Sequence, residues 1–373
     1  GGALAALHPH ELAAPVVQAL LARAGVSPQA VDAVLVGNAL GAGGNPARMA
    51  SLAAGLPERC AALSVDTQCC SGLDAVRLGA ALIASGQASV VVAGGVEAWS
   101  RAPLRATRPR HADEPPQAYE RPPFAPRPEQ DPDLLLSAAR YAAAHGHTRA
   151  AQDAYAVLSH QRALAHASAI GLEIVPVAGL THDAYPRPVT PERAARMPVA
   201  AQADVPRDPA ADAGANGHIS RLAISAKADG AAFVLLLSAA AAQAMGVPPQ
   251  AQWLAGVATG GAPDTPLLAA QAAALAVMRQ AHIASSDQLH AIELHDAFAV
   301  QGLCFAQALG LAPERLNPDG GGLARGHPIG ASGAVALVRL LAHLAHHGQA
   351  GAQGLVAVAG AGGLGSAAVV VRC

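Results

Sequence analysis

Short apolar runs rich in β-branched residues alternate along the chain with longer Ala- and Leu-rich stretches of helical spacing. Residues 31–37, 89–94, 231–237 and 354–360 are apolar at nearly every position, with Asp32 and Ser89 the exceptions. Both faces of such strands must be covered, which suits a sheet lying between helices. Residues 12–24, 72–85, 152–170, 267–282 and 332–347 carry the 3.6-residue pattern of helices. The alternation predicts an α/β fold.

The middle breaks the pattern. Residues 101–135 and 181–215 are rich in Pro and Arg, and the second stretch also in Asp. Helical patterns at 134–145 and 152–170 lie between them, so 101–225 reads as a loop-rich insertion carrying a few helices and not as a linker. The flanking parts are alike. Asp32-Ala33-Val34 resembles His290-Ala291-Ile292, Cys70-Ser71-Gly72 resembles Ala331-Ser332-Gly333, and Val92-Ala93-Gly94 resembles Val358-Ala359-Gly360. The offset stays near about 260 residues, as a duplicated unit requires. The expected organisation is one half from 1–100 plus 226–245, the insertion at 101–225, and a second half from 246–373.

Composition narrows the class. Apolar residues make up 52% and charged residues 13%, enough for a large core and too apolar for wholesale disorder. Net charge is −2, which leaves no electrostatic footprint for nucleic acid. The apolar stretch 231–242 is too short to span a bilayer. Five Cys without a CxxC or Cys/His metal spacing predict reduced thiols and a cytoplasmic setting. There is no signal-peptide pattern, and the lack of an initiator Met reads as a trimmed start.

Three side chains stand out as chemistry. Cys69 lies between a strand-like segment (61–65) and a helix, where free N–H groups and the helix dipole favour a thiolate. A small buried hydrophobe is the competing reading. His327 lies in the run Gly320 to Gly333, whose glycines let backbone approach a ligand; an incidental His in a glycine turn is the alternative. His295 ends a strand-like run and, through the repeat, should face the same cleft; a structural His is its alternative. The turn at 360–366 follows a strand. Its N–H groups suit an oxyanion hole or a phosphate, although it is neither a Walker loop nor a dinucleotide fingerprint.

Together these motifs resemble the thiolases, the CoA-dependent condensing enzymes. Cys69-Cys70-Ser71-Gly72 is similar to the family's C-x-S-G nucleophile motif. His295-Asp296-Ala297-Phe298-Ala299 is similar to N-E-A-F-A, in the H-D-x-F form of the sterol-carrier-protein type. Gly320 to Gly333 is similar to G-G-x-x-A-x-G-H-P-x-G-x-S-G. Supporting matches are Gly44-Asn45-Pro46-Ala47-Arg48, Gly94-Gly95-Val96-Glu97-Ala98-Trp99 and Asp229-Gly230-Ala231. The resemblance covers nearly the whole chain and begins inside the first family motif, which implies that a first core strand precedes Gly1.

The resemblance implies a five-layer αβαβα fold with two similar halves, a loop domain that binds CoA, and homodimers or homotetramers. It implies that Cys69 is acylated and that His327 activates it. It places Ser225 near the pantetheine, and Ala361 and Gly362 at the oxyanion turn. CoA and acyl-CoA enter as substrates; no metal or redox cofactor, nucleic acid or membrane is implied. One departure matters most. The family's second catalytic Cys falls at Ala359, and its alternative site within H-D-C-F is Ala297. The remaining Cys69-His295-His327 set is similar to that of decarboxylating β-ketoacyl synthases. The expected function is making or cleaving the carbon–carbon bond of a 3-ketoacyl-CoA through a Cys69 thioester. A decarboxylating condensing enzyme and a catalytically impaired CoA-binding homologue are the alternatives.

Overall fold

Helix α1 (Pro9–Ala24) starts at a proline, with Glu11 accepting the His8 N–H at 2.8 Å, and stops at Gly25 in the left-handed conformation. Its buried side is Leu12, Ala13, Val17 and Leu21. Strand β1 (Ala33–Gly37), α2 (Pro46–Ala53), β2 (Ala61–Val65), α3 (Ser71–Ala84) and β3 (Val90–Ala98) follow. The computed structural model describes residues 2–41, 43–204 and 217–373.

The insertion carries a hairpin of β4 (Arg105–Thr107) and β5 (Gln117–Tyr119). Helices α4 (Leu134–Ala144), α5 (Arg149–Ala165), α6 (Ala167–Gly171) and α7 (Pro191–Ala195) come next, then a second hairpin of β6 (Val199–Gln202) and β7 (His218–Ser220). The helix expected over 152–170 is thus two helices, broken at His166. The tail of the stretch expected at 181–215 lies outside the described residues from 205 onward, as does Gly1. The insertion has a core of its own, in which Ala138, Ala142, Tyr155 and Ile219 pack with Val300 and Leu323 from the second half.

Strand β8 (Asp229–Leu237) returns to the first sheet, and α8 (Ala239–Met245) leads out of it. The second half contains β9 (Ala251–Gly260), α9 (Ala269–Gln280), β10 (Ala291–His295), α10 (Ala299–Leu309), α11 (Gly322–Arg325), α12 (Ser332–His347), β11 (Gln353–Gly360) and β12 (Leu364–Arg372). Sequence reading missed β9 and β12. The turn at 360–366 runs directly into β12, antiparallel to β11.

The sheet orders are β2-β1-β3-β8 and β10-β11-β12-β9. Each contains a parallel pair followed by an antiparallel strand: β1, β3, β8 in one and β10, β11, β12 in the other. That shared unit is the structural form of the sequence repeat. The fourth strand differs, since β2 extends the first sheet beyond β1 while β9 extends the second beyond β12.

Three buried clusters separate five layers. One lies between α1 and α2 and the first sheet, with Leu12, Val34 and Val92. A second fills the space between the sheets, with Leu73, Val76, Leu337 and Leu340 from α3 and α12. The third lies between the second sheet and α9 and α10, with Ala273, Val277 and Phe305. In the central layer a Cβ on Gly72 would come 3.1 Å from that of Ala334, and one on Gly333 would come 2.7 Å from that of Leu73. Glycine at both positions lets α3 and α12 meet at their N-termini. The run Ile329–His347 is apolar and long enough to cross a membrane by length alone, but it is this central helix, 56% buried inside the fold.

Candidate active site

Cys69 sits in the turn that takes β2 into α3. Gln68, one residue earlier, holds φ at 55°, a left-handed conformation uncommon outside glycine. Neighbouring groups hold it there. Ser71 Oγ donates to the Gln68 carbonyl at 2.5 Å, the Thr67 N–H donates to Ser71 Oγ at 2.9 Å, and the Gln68 N–H reaches Asp66 Oδ1 at 3.0 Å. The turn leaves the Cys69 thiol half-buried at the N-terminal end of the central layer.

His327 comes from the other half and brings its Nε2 to 3.2 Å from Cys69 Sγ. Its Nδ1 lies 2.7 Å from Ser332 Oγ, and that hydroxyl spends its proton on the Pro328 carbonyl at 3.0 Å. Ser332 therefore accepts from Nδ1–H, which assigns the tautomer and leaves Nε2 bare to receive the thiol proton. The loop is anchored from two sides. The His327 N–H donates to the Ala226 carbonyl at 2.7 Å, and the Trp99 indole donates to the His327 carbonyl at 2.9 Å.

Burial pushes the Cys69 thiol up to about 12 and His327 down to about 4. Both shifts favour the neutral thiol–imidazole pair in the resting site. The N–H groups of Ala361 and of Cys69 itself face the sulfur and oppose its rise. Gly362 is one residue further on, with φ 78°. A Cβ there would fall 2.9 Å from the Phe124 carbonyl, so the insertion packs over this turn.

His295 ends β10, is 4% exposed, and stacks on His327 with ring centroids 4.4 Å apart and planes 25° from parallel. Its Nε2 has no hydrogen-bond partner within the protein, and burial, with His327 and Arg325 nearby, drives its pKa well below the ordinary value. Asn317 braces the strand end, accepting from the Leu294 N–H at 2.7 Å and donating to Asp296 at 3.2 Å.

The fold thus brings Cys69, His327 and His295 together. Ser225 is buried, with its hydroxyl donating to the Gly322 carbonyl at 2.6 Å and its N–H to the Ala297 carbonyl at 2.9 Å; it ties the His295 and His327 loops to each other. Ala359 ends β11 and is 9% exposed. Cys70 is adjacent but points its thiol at the Val358 carbonyl, 3.6 Å away, and Cys304 lies 3.5 Å from His147 in the insertion core. Sequence reading assigned no role to Gln68, Ser332, Trp99 or Glu97. The Ser-Gly shared by the two halves, and its place at the end of the Gly320–Gly333 motif, were the signals available for Ser332. Among the described residues, no group of three or more His, Cys, Asp or Glu side chains has the geometry to hold a metal ion.

A thiol beside a neutral imidazole, a second imidazole stacked behind, and backbone N–H groups turned to the sulfur are the parts of a site that passes an acyl group through a cysteine thioester. Residues 1–240 match the family described as "Thiolase, N-terminal domain" and residues 247–372 the one described as "Thiolase, C-terminal domain". The chain belongs to the thiolase family.

The acetyl-CoA acetyltransferase of Pseudomonas aeruginosa is 35% identical over 360 residues, covering 90% of this chain and 87% of that one. The Acat5 thiolase of Ascaris suum, solved in complex with coenzyme A, superposes with a TM-score of 0.88 at 28% identity, over 99% of this chain and 95% of that one. The acetyl-CoA acetyltransferase of Bacillus anthracis gives 0.87 at 28% identity, over 100% and 95%.

Proposed function

We propose that this protein is an acyl-CoA acyltransferase of thiolase type, which makes or cleaves the carbon–carbon bond of a 3-ketoacyl-CoA through an acyl-thioester on Cys69. The observation that carries this reading is the Cys69 Sγ to His327 Nε2 approach of 3.2 Å, with the tautomer fixed by Ser332. His327 takes the thiol proton as the sulfur attacks the thioester carbonyl, and the CoA thiolate leaves with a proton from His327. The N–H groups of Cys69 and Ala361 receive the negative charge of the tetrahedral intermediate.

The second half-reaction needs a proton moved at the α-carbon of the other thioester. Ala359 and Ala297 bring no thiol to it. His295 Nε2, buried and without a partner, is the group free to hold the thioester oxygen or to move that proton. The related coenzyme A complex supports CoA as the substrate, and the insertion seated over Gly362 supports its role in shaping the acyl and pantetheine passage. Strand β2 is the open edge of the first sheet and carries Leu63, 46% exposed; this apolar edge supports association of copies into a homodimer or larger oligomer. Five free thiols support a cytoplasmic setting.

Intact-mass measurement after incubation with acetyl-CoA tests the reading. An acetyl adduct that is lost in Cys69→Ala is expected, and no adduct in the wild type would sink it. Thiolysis of acetoacetyl-CoA by CoA, run beside condensation of malonyl-CoA with an acyl primer, then separates the two forms of the reaction. Turnover in the first assay is expected. Turnover in the second alone would reassign the enzyme to decarboxylative condensation.

A further inference from the structure

Glu97, near the end of β3, is 1% exposed, and its carboxylate is filled from three directions. Oε2 accepts the N–H groups of Ala39 at 2.9 Å and Leu40 at 3.4 Å, both just past β1, and of Gly330 at 3.0 Å, from the opposite half. Oε1 accepts from Asn38 Nδ2 at 2.8 Å. Asn38 gives a second proton to the Val96 carbonyl at 3.0 Å, which fixes its amide orientation.

Gly330 is held as tightly by shape as by this bond. Its carbonyl occupies the space that a Cβ would need on Gly37, Gly72 or Gly95, at 2.5, 2.8 and 2.1 Å. A Cβ on Gly330 itself would fall 2.6 Å from the Asn38 Cα. Two residues later comes Ser332, which holds Nδ1 of His327; Gly72 is three residues past Cys69. One buried carboxylate therefore links the β1 turn, β3 and the turn that orients the imidazole against the thiol.

We propose, resting on the reading of Cys69 as the acylated nucleophile, that Glu97 is a positioning residue: its carboxylate grips the Gly330 N–H and so fixes the Ser332–His327–Cys69 alignment across the two halves. It does not reach the sulfur or a substrate, because its oxygens are taken up inside the cage. Burial raises its pKa to about 7, against the pull of the Ala39, Gly330 and Leu40 N–H groups. Asp66 raises it further, and Glu97 in turn raises the Cys69 thiol. Protonation would place a hydrogen among donors and loosen the grip on Gly330.

Glu97→Gln tests this. With the amide oxygen kept toward the three backbone N–H groups, the new NH2 faces the Asn38 NH2, a donor against a donor. Expected for Glu97→Gln is a loss of about tenfold or more in kcat, with KM for the acyl-CoA changed less than about twofold, and a matching fall in the rate at which iodoacetamide alkylates Cys69. Glu97→Asp, which keeps the charge but shortens its reach by one methylene, should slow both even if Glu97→Gln proves insoluble. Unchanged kcat and alkylation in Glu97→Gln or Glu97→Asp, with only the melting temperature lowered, would overturn the assignment. The alkylation ratio needs no substrate. A wild type that forms no acyl adduct thus fails the Cys69 reading without deciding this one.

Discussion

The imidazoles of His295 and His327 stack face to face with centroids 4.4 Å apart, while only His327 reaches the Cys69 sulfur. Two cations at that spacing would repel strongly in a buried site, so both rings are held neutral, and burial lowers both pKa values. The pair divides one task. His327 faces the nucleophile, and His295 keeps a free nitrogen beside it.

His295→Ala is expected to leave acetylation of Cys69 by acetyl-CoA within about threefold of wild type, while carbon–carbon bond turnover falls about a hundredfold or more. Adduct formation by mass spectrometry and steady-state thiolysis read the two steps separately. Equal losses in both would show that His295 serves chiefly to hold His327.

His327→Ala should slow acylation itself by about 10² to 10⁴. The pH profile carries a sharper signature. Nε2 must be unprotonated to accept the thiol proton, and its pKa lies at about 4, below the ordinary 6.5. The acylation rate should therefore hold steady as pH falls past 6.5 and drop only as pH approaches about 4. A break at 6.5 in the wild type would contradict this. Fold stability has the opposite exposure. From 6.5 downward the unfolded chain takes up a proton that the native imidazole refuses, so the His327 contribution to stability declines through that interval.

Ala359→Cys places a thiol at the end of β11, where the sequence resemblance expects the family's second catalytic cysteine. If proton transfer at the α-carbon limits the wild type, thiolysis of acetoacetyl-CoA should rise about tenfold or more, with acetylation of Cys69 unchanged. No gain in kcat would indicate that His295 already carries that proton at full rate.

Gly72→Ala and Gly333→Ala test the central contact. The added methyl groups would come 2.8 Å from the Gly330 carbonyl oxygen and 2.7 Å from the Leu73 Cβ, respectively. Each is expected to cost about 1–3 kcal/mol of stability through overpacking, seen as a lower thermal midpoint.

Much of the site was legible because its reactive side chains sit in glycine-rich local motifs. Cys69 and His327 announce themselves by type and setting, and the repeat brings His295 to the same place. Glu97 stood in a matched motif without a role, and Gln68 was not legible at all. Glu97 acts on a residue 233 positions away, and Gln68 looks ordinary until its φ is known. Strand β9 is rich in Ala and Gly, and β12 starts Leu364-Gly365-Ser366-Ala367-Ala368; neither start has the β-branched character that marks a strand alone. Their partners impose the conformation. The long helical pattern at 152–170 hid the break at His166 because its Ala-rich composition favours helix on both sides of the break.

The central layer takes α3 from the first half and α12 from the second, so the thiol and its base never belong to the same local unit. A ribosome releases Cys69 long before His327, and β11 and β12, which complete the second sheet, follow later still. Until the chain between them has been made, the cysteine is a thiol without its imidazole. The Cys69–His327 pair exists only once the second half is folded against the first.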